Sequence, residues 1–177
     1  MKFIGTELQG VFIIEPELFL DSRGVFRRNF DKTDFSSVGI DSKVINANIS
    51  ENPHKYTLRG FHYQTGDSAE GKTLSCLNGS IYDIVVDLRP DSTTYLKWKA
   101  FEINSKNRLS LHVPQGCANA FMTTNRNTLV HYYVSNSYNP KLEKGIRFND
   151  PLFNFSWPNK PSLISEKDLT HPDFEIK

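Results

Sequence analysis

Apolar and polar residues alternate along this chain in short runs, and Gly, Pro, Asn and Asp break the runs. That rhythm predicts strands. In residues 80–88, Ile81, Asp83, Val85 and Asp87 share one face of an extended segment, and Tyr82, Ile84, Val86 and Leu88 share the other. The second set is apolar enough to be a core face. The run Leu74–Asn78 precedes it across Asn78-Gly79, a pair that tolerates positive φ and predicts a two-residue hairpin. Leu109, Leu111 and Val113 alternate with Ser110 and His112 until Pro114 and Gly116 end the run. Residues 128–134 predict a further strand, with Val130, Tyr132 and Val134 on one face and Tyr133 pointing away. Helix is scarce: residues 31–38 predict one or two turns, and Ser165–Asp168 a short turn near the C-terminus. No repeat, low-complexity stretch or linker interrupts residues 1–177. The pattern is that of an all-β chain, a double-sheet barrel or jelly roll in a single domain.

Composition narrows the function classes. A chain of 177 residues is long enough for one sizeable core. With 21 Lys+Arg against 20 Asp+Glu, the net charge is +1. This argues against a general nucleic-acid or membrane-surface binder while leaving room for a local basic pocket. Thirteen Phe and seven Tyr suit a pleated core. Cys76 and Cys117 form neither a metal-type pair nor a disulfide framework. No stretch approaches ~18 apolar residues. Met1–Gly5 opens no apolar run of signal-peptide length, so the cytoplasm is the expected compartment.

Five histidines are scattered through the chain. His54, in the polar loop Glu51–Lys55, and His171, near the C-terminus, read as solvated residues. His112 and His131 alternate with apolar neighbours and read as half-buried strand residues. His62 differs in its company, with Arg59 three residues before it, Gln64 two after, and Lys72 on the next strand. A titratable base among cations suits proton abstraction beside a carbonyl. The base takes the proton, and a cation or donor holds the enolate oxygen. On residues alone, an ordinary strand histidine is the open alternative. No Gly-rich phosphate loop occurs, so phosphates would have to meet side chains. Arg23, Arg59, Lys72 and Lys167 are candidates, with plain surface cations as the alternative.

An ordered set of segments then carries a resemblance over nearly the whole chain. It comprises Glu15-Pro16, Phe19–Gly24, Leu58–Gln64, Gly71-Lys72, Asp83–Arg89 and Ser92–Trp98. It continues with Val113–Gly116, Tyr138–Pro140, Glu143–Ile146, Asn149–Pro151 and Ser165–Asp168. In these the chain resembles the dTDP-4-dehydrorhamnose 3,5-epimerase family. The resemblance implies a cupin-type double-stranded β-helix and an isomerase that needs no cofactor. It further implies a nucleotide-diphosphate sugar as substrate, and a homodimer whose N-terminal segments help build the neighbour's site. Lipopolysaccharide, O-antigen or capsule deoxysugar synthesis is the implied setting.

By position, the resemblance makes His62 the general base, Asp168 the carboxylate that orients it, Tyr132 the proton donor and Lys72 the lysine near the sugar's C4 oxygen. Without it, Tyr132 reads equally as a core strand aromatic. Arg59 corresponds to a substrate-binding arginine. Arg23, Glu143 and Lys167 correspond to nucleotide or phosphate contacts, and Tyr138 to an aromatic that stacks on the base. Asn48 keeps its usual place. Three positions depart from the family: Asn119 replaces a histidine, Arg28 a glutamate, and Asn46 a glutamine. Asparagine donates a hydrogen bond but cannot titrate, and a guanidinium reverses a carboxylate's sign. Metal-binding cupins carry a His-x-His pair and a later Pro-x-Gly-x-x-His run. Here those places read His62-Tyr63-Gln64 and Pro114–Asn119, so no metal is expected. The expected activity is inversion at C3, C5 or both in a nucleotide-linked 4-keto-6-deoxy sugar. The alternatives are a single-centre epimerase on another such sugar and a non-catalytic sugar-nucleotide-binding cupin.

Overall fold

The alternating runs become antiparallel strands in two sheets that enclose a shared core. The computed structural model describes residues 1–176. Its first strands are β1 (Lys2–Gly5), β2 (Phe12–Glu15), β3 (Leu18–Asp21), β4 (Gly24–Arg27), β5 (Asn46–Asn52), β6 (Leu58–Gln64) and β7 (Lys72–Asn78). They are followed by β8 (Ser80–Asp87), β9 (Trp98–Asn104), β10 (Ser110–Val113), β11 (Cys117–Thr123), β12 (Thr128–Val134) and β13 (Glu143–Gly145). One sheet runs β1-β2-β10-β7-β12-β5, the other β13-β6-β11-β8-β9, and β3-β4 form a separate hairpin. This is the expected all-β jelly roll.

The turn at Asn78-Gly79 is not a hairpin. β7 pairs with β10 and β12, whereas β8 pairs with β9 and β11. Gly79 does adopt positive φ, at 79°, but it turns the chain from one sheet into the other. A tight turn requires such a residue whether or not the strands it joins are neighbours.

The expected apolar face of β8 is a core face, and the opposite face is one as well. Ile81 and Val85 point between the sheets, against Leu74, Cys76, Leu111, Phe121 and Val130. Asp83 and Asp87 therefore point inward too, and both are fully buried. The apolar face is also buried, but outside the barrel: Ile84 and Val86 pack against Ala118, Ala120, Phe61, Phe153 and Phe155. A strand covered on both sides loses the alternation that tells inside from outside.

The outer face of the six-stranded sheet is covered by helix α1 (Lys32–Ser37), whose Phe35 joins Ile14 and Tyr133. Asp31 caps α1 by accepting from the Thr33 and Asp34 amides, as Asp does at a helix N-terminus. Tyr133 thus points away from Tyr132, as the alternation predicts. Helix α2 (Glu166–Leu169) is capped by Ser165. Among the described residues no helix is long and apolar enough to cross a membrane.

Candidate active site

A cavity of about 640 Å³ opens between the sheets. Its walls include Arg59, His62, Lys72, Asn119, Phe121, Tyr132, Lys167 and Asp168. Plain alternation would place Arg59 and His62 on opposite faces of β6. The register explains why both line the cavity: His62 pairs with Asn119 and Arg59 with Phe121, so three steps on β6 match two on β11. β6 therefore carries a bulge, which re-aims one side chain. Phe61 is sent to the outer core, where its ring stacks 4.3 Å from Phe155. Gly60 sits in the bulge at φ 106°, where a Cβ would lie 2.6 Å from the Asn119 carbonyl oxygen. Only glycine fits there.

His62 Nε2 lies 2.7 Å from Asp168 Oδ1. Asp168 is 3% exposed, and its second oxygen accepts from the Gly60 amide at 3.3 Å. Burial raises the Asp168 carboxyl, but the His62 hydrogen bond and charge, with the Gly60 amide, bring it below the usual carboxylate range. An ionised Asp168 accepts the Nε2 proton, which leaves the lone pair on His62 Nδ1. Ser165 Oγ accepts from the Asp168 amide at 3.1 Å and anchors the first turn of α2.

Tyr132 and Lys72 come from the six-stranded sheet, across the cavity from His62 on the five-stranded sheet. Lys72 Nζ lies 5.9 Å from the Tyr132 ring centre. Burial raises the Tyr132 phenol, with Arg59 lowering it and Glu70 raising it further. Burial lowers the Lys72 ammonium, against the opposing pull of Glu70, Asp83 and Glu143. Arg59 Nε donates to the buried Asn52 Oδ1 at 2.8 Å, which fixes the guanidinium.

Asn119 is committed on both sides. Its Oδ1 accepts from Lys72 Nζ at 3.2 Å, and its Nδ2 donates to Asp83 Oδ2 at 3.0 Å. Burial pushes the Asp83 carboxyl up to about 8, with Asn119 and Lys72 opposing. Asp83 is thus mostly protonated at neutral pH, which leaves Glu70 and Glu143 as the anions that support the Lys72 ammonium. The expectation that Asn119 donates holds toward Asp83, whereas toward Lys72 it presents its carbonyl oxygen and accepts.

At the rim, Tyr138 donates to Glu143 Oε2 at 2.7 Å, and Lys167 pairs with the same oxygen. Burial raises the Glu143 carboxyl, but bonds from Lys167 and Tyr138 bring it below the usual range. Asn48 is half-buried opposite Tyr132 on edge strand β5, with exposed Asn46 opposite Val134. Neither lines the cavity. Arg23 sits at the exposed end of the β3–β4 hairpin, paired with Asp21 at 2.6 Å, and Arg28 pairs with Asp31 at 3.1 Å. Both lie away from this chain's cavity.

Three neighbours of the site escape a motif-based reading. Asp83 is the clearest, and its signal is a carboxylate alternating with Ile81 and Val85. Asn52 and Glu70 carry no such signal. Among the histidines, His54 is exposed as expected. His112 is deeply buried and accepts or donates to Thr73 Oγ1 at 2.8 Å; burial takes it down to about 4, so it is neutral. His171 is not a solvated residue but lies half-buried against the His62–Asp168 pair.

The comparisons with known proteins decide the family. Residues 5–175 match the model of the dTDP-4-dehydrorhamnose 3,5-epimerase family. The chain belongs to that family. The dTDP-4-dehydrorhamnose 3,5-epimerase of Methanothermobacter thermautotrophicus is 34% identical over 170 residues, 94% of this chain and 91% of the relative. The crystal structure of the same enzyme from Bacillus anthracis, with TDP and pyrophosphate bound, superposes with a TM-score of 0.93. It is 32% identical and covers 98% of this chain and 99% of its own. A 3'-monoepimerase from Streptomyces bikiniensis in complex with dTDP-quinovose is similar at 26% identity and a TM-score of 0.88. That match covers 95% of this chain and 85% of the monoepimerase. The chain is therefore an isomerase of the epimerase class, with the cupin-type fold of its relatives.

Proposed function

We propose that this epimerase inverts both C3 and C5 of a nucleotide-linked 4-keto-6-deoxy sugar, converting dTDP-4-dehydro-6-deoxyglucose to dTDP-4-dehydrorhamnose without a cofactor. The observation that carries the proposal is that a histidine–carboxylate pair and a phenol stand on opposite sheets across one cavity. The C4 ketone acidifies the protons on C3 and C5. His62 Nδ1 removes one, and Asp168 holds the imidazolium that results. The electron pair moves to the C4 oxygen, where the Lys72 ammonium meets the enolate. Tyr132 returns a proton from the opposite face, and the centre is inverted. Solvent then restores the phenol and discharges His62.

The remaining site residues divide by place. Arg59 and Asn119 face the sugar end, the latter through Lys72. Lys167, Glu143 and Tyr138 form the rim where a nucleotide diphosphate reaches solvent. The β3–β4 hairpin leaves Leu20, Phe26 and Phe19 exposed at 71%, 65% and 52%. An apolar hairpin in this state is supported best as part of a homodimer contact. Its two arginines, Arg23 and Arg28, with Asn46 and Asn48 on the edge strand, then serve a site shared between subunits. The whole chain acts as one epimerase domain in the cytoplasm, supplying a deoxysugar for lipopolysaccharide, O-antigen or capsule.

A single-centre epimerase is the second reading, and Asn119 favours it, because this side chain cannot titrate beside the sugar. Incubation of dTDP-4-dehydro-6-deoxyglucose with the enzyme in deuterated water separates the two. Deuterium at C3 and C5 supports double inversion, deuterium at one carbon supports the second reading, and an unlabelled sugar defeats both.

A further inference from the structure

The C-terminal segment brings a third side chain to the His62–Asp168 pair that proton transfer does not use. His171 follows the end of α2, two residues after Leu169. Its ring occupies the space beside Gly145, where any Cβ would overlap it. Gly145 is the residue paired with His62 across β13 and β6. The missing side chain at 145 is therefore what lets His171 reach the pair. His171 Nε2 is buried and has no hydrogen-bond partner among the described residues. One donor atom from each of His62, Asp168 and His171 lies within 4.8 Å of the other two.

We propose that His62, Asp168 and His171 form a binding site for a borderline divalent transition-metal ion such as Zn²⁺, and that the bound ion blocks proton abstraction. Two imidazoles and a carboxylate are the donor set that Zn²⁺, Co²⁺ and Fe²⁺ share. Zn–N and Zn–O bonds of about 2.0–2.2 Å put tetrahedral donors ~3.4 Å apart. The His62–Asp168 distance opens slightly to admit the ion, and a rotation of His171 closes the rest. The site shares only His62 with the positions where metal-binding cupins place their ligands; Asp168 and His171 come from the C-terminal segment.

Inhibition follows from the tautomer. In the metal-free pair, the proton sits on Nε2 and the lone pair on Nδ1. An ion on Nε2 moves that proton to Nδ1, the atom that must accept hydrogen from the sugar. No net proton is lost, but the base is occupied. Asp168 is at the same time withdrawn from supporting an imidazolium.

The binding half of the proposal is independent of the sugar's identity, so the test begins with metal alone. Untagged enzyme, stripped with chelator, is titrated with Co²⁺ by visible absorption and with Zn²⁺ by calorimetry. We expect one ion per chain, the intense visible bands of four- or five-coordinate cobalt, and a loss of affinity of roughly tenfold or more in His171→Gln. His171→Leu, which also fits beside Gly145, should lose affinity likewise. Both variants should unfold at the wild-type midpoint, exchange sugar protons at the wild-type rate in chelator, and resist Zn²⁺ at concentrations that stop the wild type. Failure to bind either ion below millimolar concentration, or equal affinity in both variants, overturns the site. Binding lost in the variants with Zn²⁺ inhibition unchanged overturns the inhibitory role.

Discussion

Asp83→Asn should make the enzyme more stable, and by an amount that grows with pH. Asp83 is fully buried, with Oδ1 lacking any hydrogen-bond partner among the described residues. Its carboxyl lies near 8 in the fold, against 3.8 for an ordinary aspartate. Because the folded value is raised, the folded state holds this proton after the unfolded chain has released it. Below about pH 4 both states are protonated and there is no penalty. Between about 4 and 8 the unfolded state gains stability with every unit, and above 8 the difference is constant. At 1.36 kcal/mol per unit, the penalty at pH 7 is on the order of 4 kcal/mol, a net figure that already contains the opposing effects of Asn119 and Lys72. That is a large fraction of the ~5–15 kcal/mol that holds a typical domain together. Asparagine has the same shape, still accepts from Asn119 Nδ2, and cannot ionise. Urea unfolding of both proteins at pH 5 and pH 8 measures the difference. The stability gap should widen by about 2 kcal/mol or more between the two, with equal urea slopes. Exchange activity should stay within a few-fold. A gap that is the same at both pH values would refute a protonated, buried Asp83.

Three further outcomes follow from the geometry. Gly60→Ala must place a methyl 2.6 Å from the Asn119 carbonyl oxygen at φ 106°, so unfolding experiments should show a loss of about 2–5 kcal/mol; a loss under ~0.5 kcal/mol would dismiss the bulge as a constraint. Asp168→Asn keeps the shape but offers His62 no anion, so the exchange rate should fall by ~10²–10⁴ with the sugar's binding constant little changed. Activity near wild type in that variant would remove Asp168 from the mechanism. Phe26→Asp with Leu20→Asp should convert the proposed homodimer to monomer on a sizing column and weaken sugar binding, whereas monomeric wild type would end the shared-site proposal.

What was legible in the sequence was local and periodic. The strands of residues 80–88 and 128–134, the α1 turn and the C-terminal turn follow from spacing and caps, because those depend on near neighbours. Pairing does not. Asn78-Gly79 announces a reversal, but which sheet receives β8 depends on β9 and β11, which come later in the chain. β8 also hides its orientation, since Ile84 and Val85 are equally buried on opposite faces. Arg59 and His62 share a wall only through a bulge that alternation cannot foresee. The pairing of His62 with Asp168, 106 residues away, had no local signal and was reached only through resemblance to a family. His171 was misjudged for the same reason in reverse. Its surroundings come from β13 and β6, not from its own polar neighbours.

The central claim is that His62 and Tyr132 work on opposite faces of one carbon, and proton exchange in deuterated water followed by NMR tests it most directly. His62→Ala should neither exchange nor invert. Tyr132→Phe should still exchange the proton that His62 removes, returning it from the same face, while inversion falls by ~10²-fold or more. Inversion at the wild-type rate in Tyr132→Phe, or exchange at the wild-type rate in His62→Ala, would contradict the account.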